Sequence, residues 1–374
     1  MVSGARFPQK HEGSTQVLVV SVKIGEAFAP TAQPRSRYAA FLLLLFAAVL
    51  SAQTPPISPC SSCHRQGKSQ PFTAMAQAME NASDCAILIR NPLLTLAQGP
   101  YSYRIERRGN QSFYTVMSGK ESLTLPIRYA IGSSVAVGQT YILEHEGELY
   151  ESRVSYFSEL AGLDITIGHN STTPSSLLEA AGRRLAPDEK LRCIGCHSTG
   201  AVRKRELLLN ELTPGVQCSH CHENALVHLS EKLSGENGAV AMKRLSTLSA
   251  GGVSNFCGQC HRTWEEIALT GIRDITTLRF QPYRLQTSKC FDEDDPRISC
   301  TACHDPHVEV DTVAEHYDSR CLACHTAKAK PGLCKVAKKG CTNCHMPKLE
   351  LPGAHHKFAD HRIRIVRPGE KFPG

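Results

Sequence analysis

Residues 300–347 read CTACHDPHVEVDTVAEHYDSRCLACHTAKAKPGLCKVAKKGCTNCHMP, a stretch that contains Cys-x-x-Cys-His three times. Two thiols at this spacing can add across the two vinyl groups of haem, and the adjoining histidine is then placed to bind the iron from the proximal side. Four more copies stand upstream, beginning at Cys60, Cys193, Cys218 and Cys257. The pattern therefore predicts seven covalently attached haem c groups.

The seven motifs, numbered sites 1 to 7 in chain order, use fourteen of the seventeen cysteines. A lone Cys-x-x-Cys could hold zinc or act as a redox dithiol, but every copy here is followed at once by histidine, which neither alternative requires. Each motif supplies two thioether cysteines and one proximal iron ligand, which are Cys60, Cys63 and His64; Cys193, Cys196 and His197; Cys218, Cys221 and His222; Cys257, Cys260 and His261; Cys300, Cys303 and His304; Cys321, Cys324 and His325; and Cys341, Cys344 and His345.

The composition agrees with a core built from cofactors. Only 6% of the 374 residues are aromatic and there is one Trp, so side chains alone make a poor apolar core that porphyrins would complete. The formal charge is +7, of which residues 1–52 carry +3 (five Lys/Arg, two Asp/Glu), and each haem adds two propionates. The mature holoprotein is thus expected to be roughly neutral to acidic, and no basic stripe with interleaved aromatics indicates nucleic-acid binding.

The N-terminal segment has the pattern of a secretory signal. Ala39–Leu50 is an apolar run that follows Arg35 and Arg37 and ends in the small residues Ser51 and Ala52. This predicts a signal peptide over residues 1–52, with an uncleaved anchor that associates the protein with a membrane as the alternative. The long stretch before the apolar run favours a start codon assigned too early. We expect a periplasmic or extracellular protein, since bacteria attach haem covalently outside the cytoplasm.

Motif spacing predicts a mostly α and irregular, haem-cored fold with a small antiparallel β module inserted between the first and second haem sites. We divide the mature chain into an N-terminal monohaem segment (53–98), a β-hairpin module (99–172) and a hexahaem cytochrome domain (173–374). Alternating apolar residues around the turns at Gly109-Asn110 and Glu146-Gly147 predict the two hairpins of the module. The stretch from Phe72 to Glu80 is predicted to be helical.

If each iron takes a second histidine, seven distal ligands are needed. Eight candidates follow residue 52 once His220, which lies inside a motif, is set aside, and the count favours bis-histidine ligation while leaving room for one five-coordinate iron. We look for such an iron at the isolated site 1, where Met75 or Met79 could also bind or simply pack on the porphyrin. The eight histidines are His145, His169, His228, His307, His316, His355, His356 and His361.

Three cysteines lie outside the motifs. Cys290 and Cys334 flank part of the C-terminal cluster, and a disulfide between them is the prediction for an exported protein, with two free thiols as the alternative. Cys85 is then left over, either as a buried inert thiol or as a site for an intermolecular bond.

The chain resembles the multihaem cytochrome c superfamily, in which tetrahaem electron carriers, pentahaem nitrite reductases and octahaem hydroxylamine oxidoreductases share haem-packing motifs. The resemblance implies distal-ligand roles for His228, His307 and His361. It gives less support to an enzyme, because no Cys-x-x-Cys-Lys replaces a Cys-x-x-Cys-His and no cross-linking tyrosine can be assigned. The strings that carry it are the seven motifs, Cys221 to His228, Arg279 to Leu285, Cys300 to His307, Cys344 to Lys348 and Asp360 to Ile363.

The sequence thus predicts an exported carrier of single electrons, with other cytochromes or a membrane quinol oxidoreductase as redox partners. The alternative is a multihaem reductase or oxidoreductase that acts on a small nitrogen or sulfur compound at one five-coordinate haem. A third interpretation is a homo-oligomer whose subunits stack haem to haem into a filament. Fold resemblance alone does not choose among these three.

Overall fold

An antiparallel sheet of nine strands is the main element of the described N-terminal part of the chain. The structure is a computed structural model, and it describes residues 59–133, 137–169, 172–235, 245–326, 334–367 and 369–372. Its strands are β1 (Met79–Asn81), β2 (Leu93–Gln98), β3 (Tyr101–Arg108), β4 (Gln111–Ser118), β5 (Glu121–Ile131), β6 (Gly138–His145), β7 (Glu148–Phe157), β8 (Gly162–Ile165) and β9 (Gly182–Arg184).

Neighbouring strands pair in chain order from β2 to β8, while β1 pairs with β5 and β9 pairs with β7. The register shifts once between β5 and β6 and once between β6 and β7, and irregularities of this kind increase the local twist and bend of a sheet. The sheet curves until β2 and β8, the two ends of the path, lie against each other. Tyr103, Tyr114, Tyr141, Val116 and Leu143 point into the resulting interior and are buried there.

The predicted fold class is wrong, because the β structure is neither small nor confined to residues 99–172. Both hairpins are present, as β3–β4 and β6–β7, but the sheet begins at Met79 and ends at Arg184. Phe72 to Glu80 is not a helix either, since Met79–Asn81 pairs in register with Tyr129–Ile131. Long-range pairing decides the conformation of that segment over its local propensity.

A second apolar cluster joins the outer face of the sheet to site 2. Ile142 on β6 and Leu149 on β7 pack there with Ile194 and Ala201, and Cys193 lies against the same cluster. Ile194 is fully buried on the helix Pro187–His197, which carries the site 2 motif. The sheet is therefore the support on which this attachment motif is mounted.

The rest of the described chain is made of short helices and irregular segments. Ser176 caps the helix Leu177–Ala181, and its hydroxyl accepts from the Glu179 amide at 3.2 Å. The α-helices are Gln66–Ser69, Ala86–Arg90, Leu177–Ala181, Pro187–His197, Cys218–Cys221, Ala225–Ser234, Ala250–His261, Trp264–Thr270, Gln281–Gln286, Cys300–Cys303, Asp318–Leu322 and Cys341–His345.

Single 3₁₀ turns and two-stranded ribbons connect these helices. Within the described ranges, none of the helices has the length and apolar content needed to cross a bilayer. The 3₁₀ segments are Pro59–Ser62, Gln70–Phe72, Leu245–Thr247, Ile275–Arg279, Pro296–Ile298 and Ala314–Tyr317, and the ribbon strands are Ser198–Thr199 with Thr213–Pro214, Val202–Arg203 with Glu206–Leu207, and Lys348–Glu350 with Lys357–Ala359.

Candidate haem-binding site

The attachment motifs form helical turns, which explains their spacing. Residues three apart lie on the same face of a helix, so each pair of motif cysteines can reach one edge of a ligand together. Sites 3, 5 and 7 are isolated turns, whereas sites 2 and 4 end the longer helices Pro187–His197 and Ala250–His261. The turn at site 5 is capped by Ser299, whose hydroxyl accepts from the Ala302 amide at 3.2 Å.

One continuous cavity of about 4540 Å³ is lined by residues from all seven motifs. Divided by seven, this volume gives roughly 650 Å³ for each motif, within the range of about 300–1,000 Å³ that small-molecule and cofactor sites occupy. Of the motif cysteines and proximal histidines, Cys193 and Cys344 are absent from its lining. The cavity is thus large enough for a set of haem-sized groups that share one space.

Apolar side chains face this cavity without protein cover. Leu233, Val336 and Ile365 line it with 79%, 93% and 78% of their surface exposed, and Val308 and Val310 line it while about half exposed. Large apolar surfaces are normally covered by something in a folded protein. Porphyrin rings are flat apolar groups that would cover them.

The charged residues of the cavity lining are mainly basic. Thirteen Lys and Arg line it against five Asp and Glu, a difference of +8. Seven haems would bring propionate groups, for which Lys and Arg side chains are suitable partners. Size, apolar lining and charge therefore all fit covalently attached haem.

Three candidate distal histidines each face a proximal histidine. The ring centroids are 6.3 Å apart for His64 and His228, 6.0 Å for His222 and His307, and 6.2 Å for His304 and His361. With metal–nitrogen bonds of about 2.0 Å and about 1.1 Å from each nitrogen to its ring centre, two imidazoles on opposite sides of one metal have centroids about 6.2 Å apart. The spacing of all three pairs matches an iron between the rings.

The three pairs follow one rule along the chain. The histidine that faces site 1 comes after motif 3, the one that faces site 3 comes after motif 5, and the one that faces site 5 comes after motif 7. Sites 1, 3 and 5 are thus each faced by a histidine from the segment that follows the next odd-numbered motif. Site 1, where we looked for an open iron, is one of the sites with a facing imidazole.

Hydrogen bonds hold several of these rings by Nδ1. His197 donates to Ala78 O at 2.9 Å, and His345 donates to Arg364 O at 2.8 Å. His361 donates to the backbone oxygen of residue 359 at 3.0 Å, and His307 to the Asp305 carboxylate at 2.8 Å. Because Nδ1 carries the proton, Nε2 keeps its lone pair for a metal, an arrangement typical of metal-ligating histidines.

Burial lowers the pKa of five of the proximal and distal imidazoles. It lowers the pKa of His361 to about 4, with the neighbouring His304 as a second cause. A metal binds the neutral imidazole, so these side chains are in the ligating form at neutral pH. Burial is also the main cause of the lowered pKa of four proximal histidines, His197, His222, His261 and His304.

The other five candidate histidines lie against carboxylates. The distances from a ring nitrogen to a carboxylate oxygen are 4.0 Å for His145–Glu146, 3.4 Å for His169–Glu151, 3.2 Å for His316–Asp311, 2.6 Å for His355–Asp164 and 2.7 Å for His356–Glu159. In three of them, His145, His169 and His355, the nitrogen turned to the carboxylate is Nε2. Of these five, only His356 lines the cavity.

The two methionines of the sequence prediction have different surroundings. Met75 lines the cavity, and its backbone oxygen accepts from the Val216 amide at 3.2 Å. Met79 is 1% exposed in the apolar cluster on the outer face of the sheet.

Cysteines of different motifs also meet. The side chains of Cys196 and Cys260 lie close together, as do those of Cys257 and Cys300. Cys321 and Cys341 are close together as well. Site 4 therefore lies beside sites 2 and 5, and site 6 lies beside site 7.

His220, which sequence reasoning set aside, bonds to the Ser198 backbone at site 2, and only the fold brings it there.

The cysteines outside the motifs are free thiols. Cys290 and Cys334 are both exposed and are not joined to each other in the structure, and the disulfide between them stays a prediction. Cys85 is fully buried, its thiol donates to Gln139 Oε1 at 3.0 Å, and burial raises its pKa to about 12. Of the two interpretations of Cys85, the structure favours the inert thiol.

Comparison with known proteins gives two partial matches. The family model described as "Cytochrome c554 and c-prime" matches residues 169–223, which include sites 2 and 3. A protein described as multiheme cytochrome MtrA, from Shewanella baltica (strain OS185), is 25% identical over 141 residues, which cover 36% of this chain and 36% of that protein. The chain thus spans about a third of that relative's length. No solved structure gives a significant match.

Both matches are to proteins described as cytochromes, and they support a multihaem c-type cytochrome with covalently bound haem c. They agree with the motifs and with the cavity that the motifs line.

Proposed function

We propose that this protein is an exported seven-haem cytochrome that carries single electrons through haems of predominantly bis-histidine coordination. The observation that carries the proposal is the set of three facing histidine pairs within a cavity lined by all seven motifs. Haem iron held by two histidines is saturated and low-spin, and it exchanges electrons rather than binding substrate.

The polypeptide itself holds the haems in position and offsets their charge. Helical turns position the paired cysteines, Nδ1 hydrogen bonds orient the histidines, and basic side chains offset propionate charge. The fold brings neighbouring sites close together, as the proximity of Cys196 of site 2 to Cys260 of site 4 shows. Such proximity supports transfer from site to site without a diffusing carrier.

Export and partners are parts of the same proposal. The signal peptide over residues 1–52 lies outside the described residues, and we propose that it directs the chain to the periplasm or the extracellular space. Redox partners would be other cytochromes or a membrane quinol oxidoreductase. The division into segments 53–98, 99–172 and 173–374 is kept as a proposal about how the haem sites are distributed.

Redox titration of the purified holoprotein tests the function. We expect several one-electron steps that together account for seven irons, with low-spin spectra in the oxidised and reduced states. Reversible exchange of fewer electrons than the bound haem, or the absence of reversible reduction, contradicts the proposal.

A second candidate function, reduction or oxidation of a small nitrogen or sulfur compound, is favoured by one observation. Within the described ranges no second imidazole ring pairs with His197, His261, His325 or His345, although three other proximal histidines are so paired. A high-spin ferric signal equivalent to one haem, abolished by nitrite or hydroxylamine, would support this function over simple transfer. A fully low-spin protein rejects it.

A further inference from the structure

A buried ion cluster holds the residue that precedes His361. Arg284 donates from Nε to Asp360 Oδ1 and from Nη2 to Oδ2, both at 2.8 Å, and both side chains are fully buried. Arg364 Nη1 donates to the same Asp360 Oδ2 at 2.6 Å. A two-pronged pair of this kind fixes direction as well as distance.

The backbone on both sides of Asp360 is held as well. Its amide donates to Pro347 O at 3.0 Å, and the Arg362 amide donates back to Asp360 Oδ1 at 3.0 Å. The Ser288 hydroxyl donates to His361 O at 3.3 Å and accepts from the Ile363 amide at 2.8 Å. The backbone of His361 is thus fixed from before and after.

The cluster lies between two haem sites. His361 faces His304 of site 5. The Arg364 amide donates to His345 O of site 7 at 3.2 Å, and Arg364 O accepts from His345 Nδ1 at 2.8 Å. Phe372 covers the other face of Arg284, with the guanidinium carbon 4.5 Å from the ring centroid. A buried charge pair contributes little net stability compared with apolar residues of the same shape. We therefore assign this pair the role of fixing the positions of the residues around it.

We propose that Asp360 is a positioning residue, which together with Arg284 holds the His361 ring opposite His304 so that site 5 keeps two histidine ligands. This inference rests on the proposed function, because it takes His361 as an iron ligand. An ion pair with only a structural role would affect stability alone, whereas a positioning role affects the spin state of one haem.

The test is electron paramagnetic resonance of oxidised holoprotein carrying Asp360→Asn, which keeps the shape but removes the charge that Arg284 and Arg364 bind. We expect a high-spin ferric signal equal to one haem per chain, and its conversion to low-spin on addition of imidazole. The matched control is Asp164→Asn, which removes the carboxylate that binds His355 in the preceding loop. This control is expected to stay low-spin at site 5.

The variant His361→Ala distinguishes the positioning role of Asp360 from the role of His361 as an iron ligand. If His361→Ala gives one high-spin haem but Asp360→Asn stays low-spin, the positioning role is overturned and the ligand assignment stands. If His361→Ala also stays low-spin, the assignment in the proposed function fails.

If Asp360→Asn does not yield holoprotein, Arg284→Lys and Arg364→Gln carry the test. Arg284→Lys keeps the charge without the two-pronged geometry, and Arg364→Gln changes the less buried member of the cluster. A new imidazole-sensitive high-spin component in either variant supports the proposal, and unchanged low-spin spectra in both overturn it.

Discussion

Replacing His307 with alanine is expected to convert one haem from low-spin to high-spin. The His307 ring lies 6.0 Å from that of His222 and nearly parallel to it, at 13°, while its Nδ1 is held by Asp305 at 2.8 Å. With that imidazole gone, site 3 keeps only His222, so one of seven irons, about 14% of the total, loses its sixth ligand. Spin quantitation of the oxidised protein, normalised to total haem, measures this fraction.

His316→Ala is the matched control, because His316 is also a histidine beside a carboxylate, at 3.2 Å from Asp311, while its ring contact is with Tyr317 rather than with a proximal histidine. It should leave the spectrum unchanged. A His307→Ala protein that retains all seven haems and shows no high-spin component would refute the reasoning from ring geometry.

Three further predictions concern the protein framework. Ile194→Ala should lower the free energy of unfolding by about 2–5 kcal/mol, because it empties a fully buried position where the site 2 helix meets the sheet, whereas Leu269→Ala, at 88% exposure, should change it by less than about 0.5 kcal/mol in the same denaturant titration. Gly215→Ala should destabilise by about 1–3 kcal/mol, since φ is +74° and a Cβ would lie 1.7 Å from Ala76 O; equal stability would contradict this. Cys85 should resist alkylation at pH 8 until the protein unfolds, because a thiol pKa raised from 9.0 to about 12 cuts the thiolate about 1,000-fold there, and peptide mapping that finds native Cys85 readily labelled would contradict the burial argument.

Much of the sheet could have been predicted from the residues. Leu123, Leu125, Ile127 and Tyr129 alternate with polar residues or Pro126, the pattern of a half-buried strand, and all four lie on β5. We predicted only the two hairpins marked by the turns at Gly109-Asn110 and Glu146-Gly147, although β5, with eleven residues, carries the alternating pattern as well. Met79–Asn81 has no strand pattern of its own and is a strand only because β5 is there to pair with it.

The attachment motifs needed no structure, since covalent chemistry dictates their spacing. The distal ligands could not be assigned from the sequence in the same way, because the eight candidate histidines are equivalent when donors are only counted. His307 and His316 both lie near a carboxylate, and only the fold shows that the first faces His222 while the second does not. Resemblance pointed to His228, His307 and His361, and the structure adds the proximal partner that each one faces.

The ion pair of Arg284 and Asp360 could not be predicted from the sequence. The two residues are 76 positions apart, and neither has an unusual local context that indicates a buried ion pair. Their association follows from how the C-terminal segment returns over the helix Gln281–Gln286. Such long-range polar contacts are set by tertiary packing, which no local period in the sequence encodes.

The central claim, that seven motifs carry seven haems in one shared cavity, is tested most directly by the intact mass of the mature protein together with a haem assay per chain. We predict a mass excess of seven covalently attached haems that survives denaturation and acid extraction. A homogeneous, fully matured protein with fewer than seven covalent haems would contradict the account.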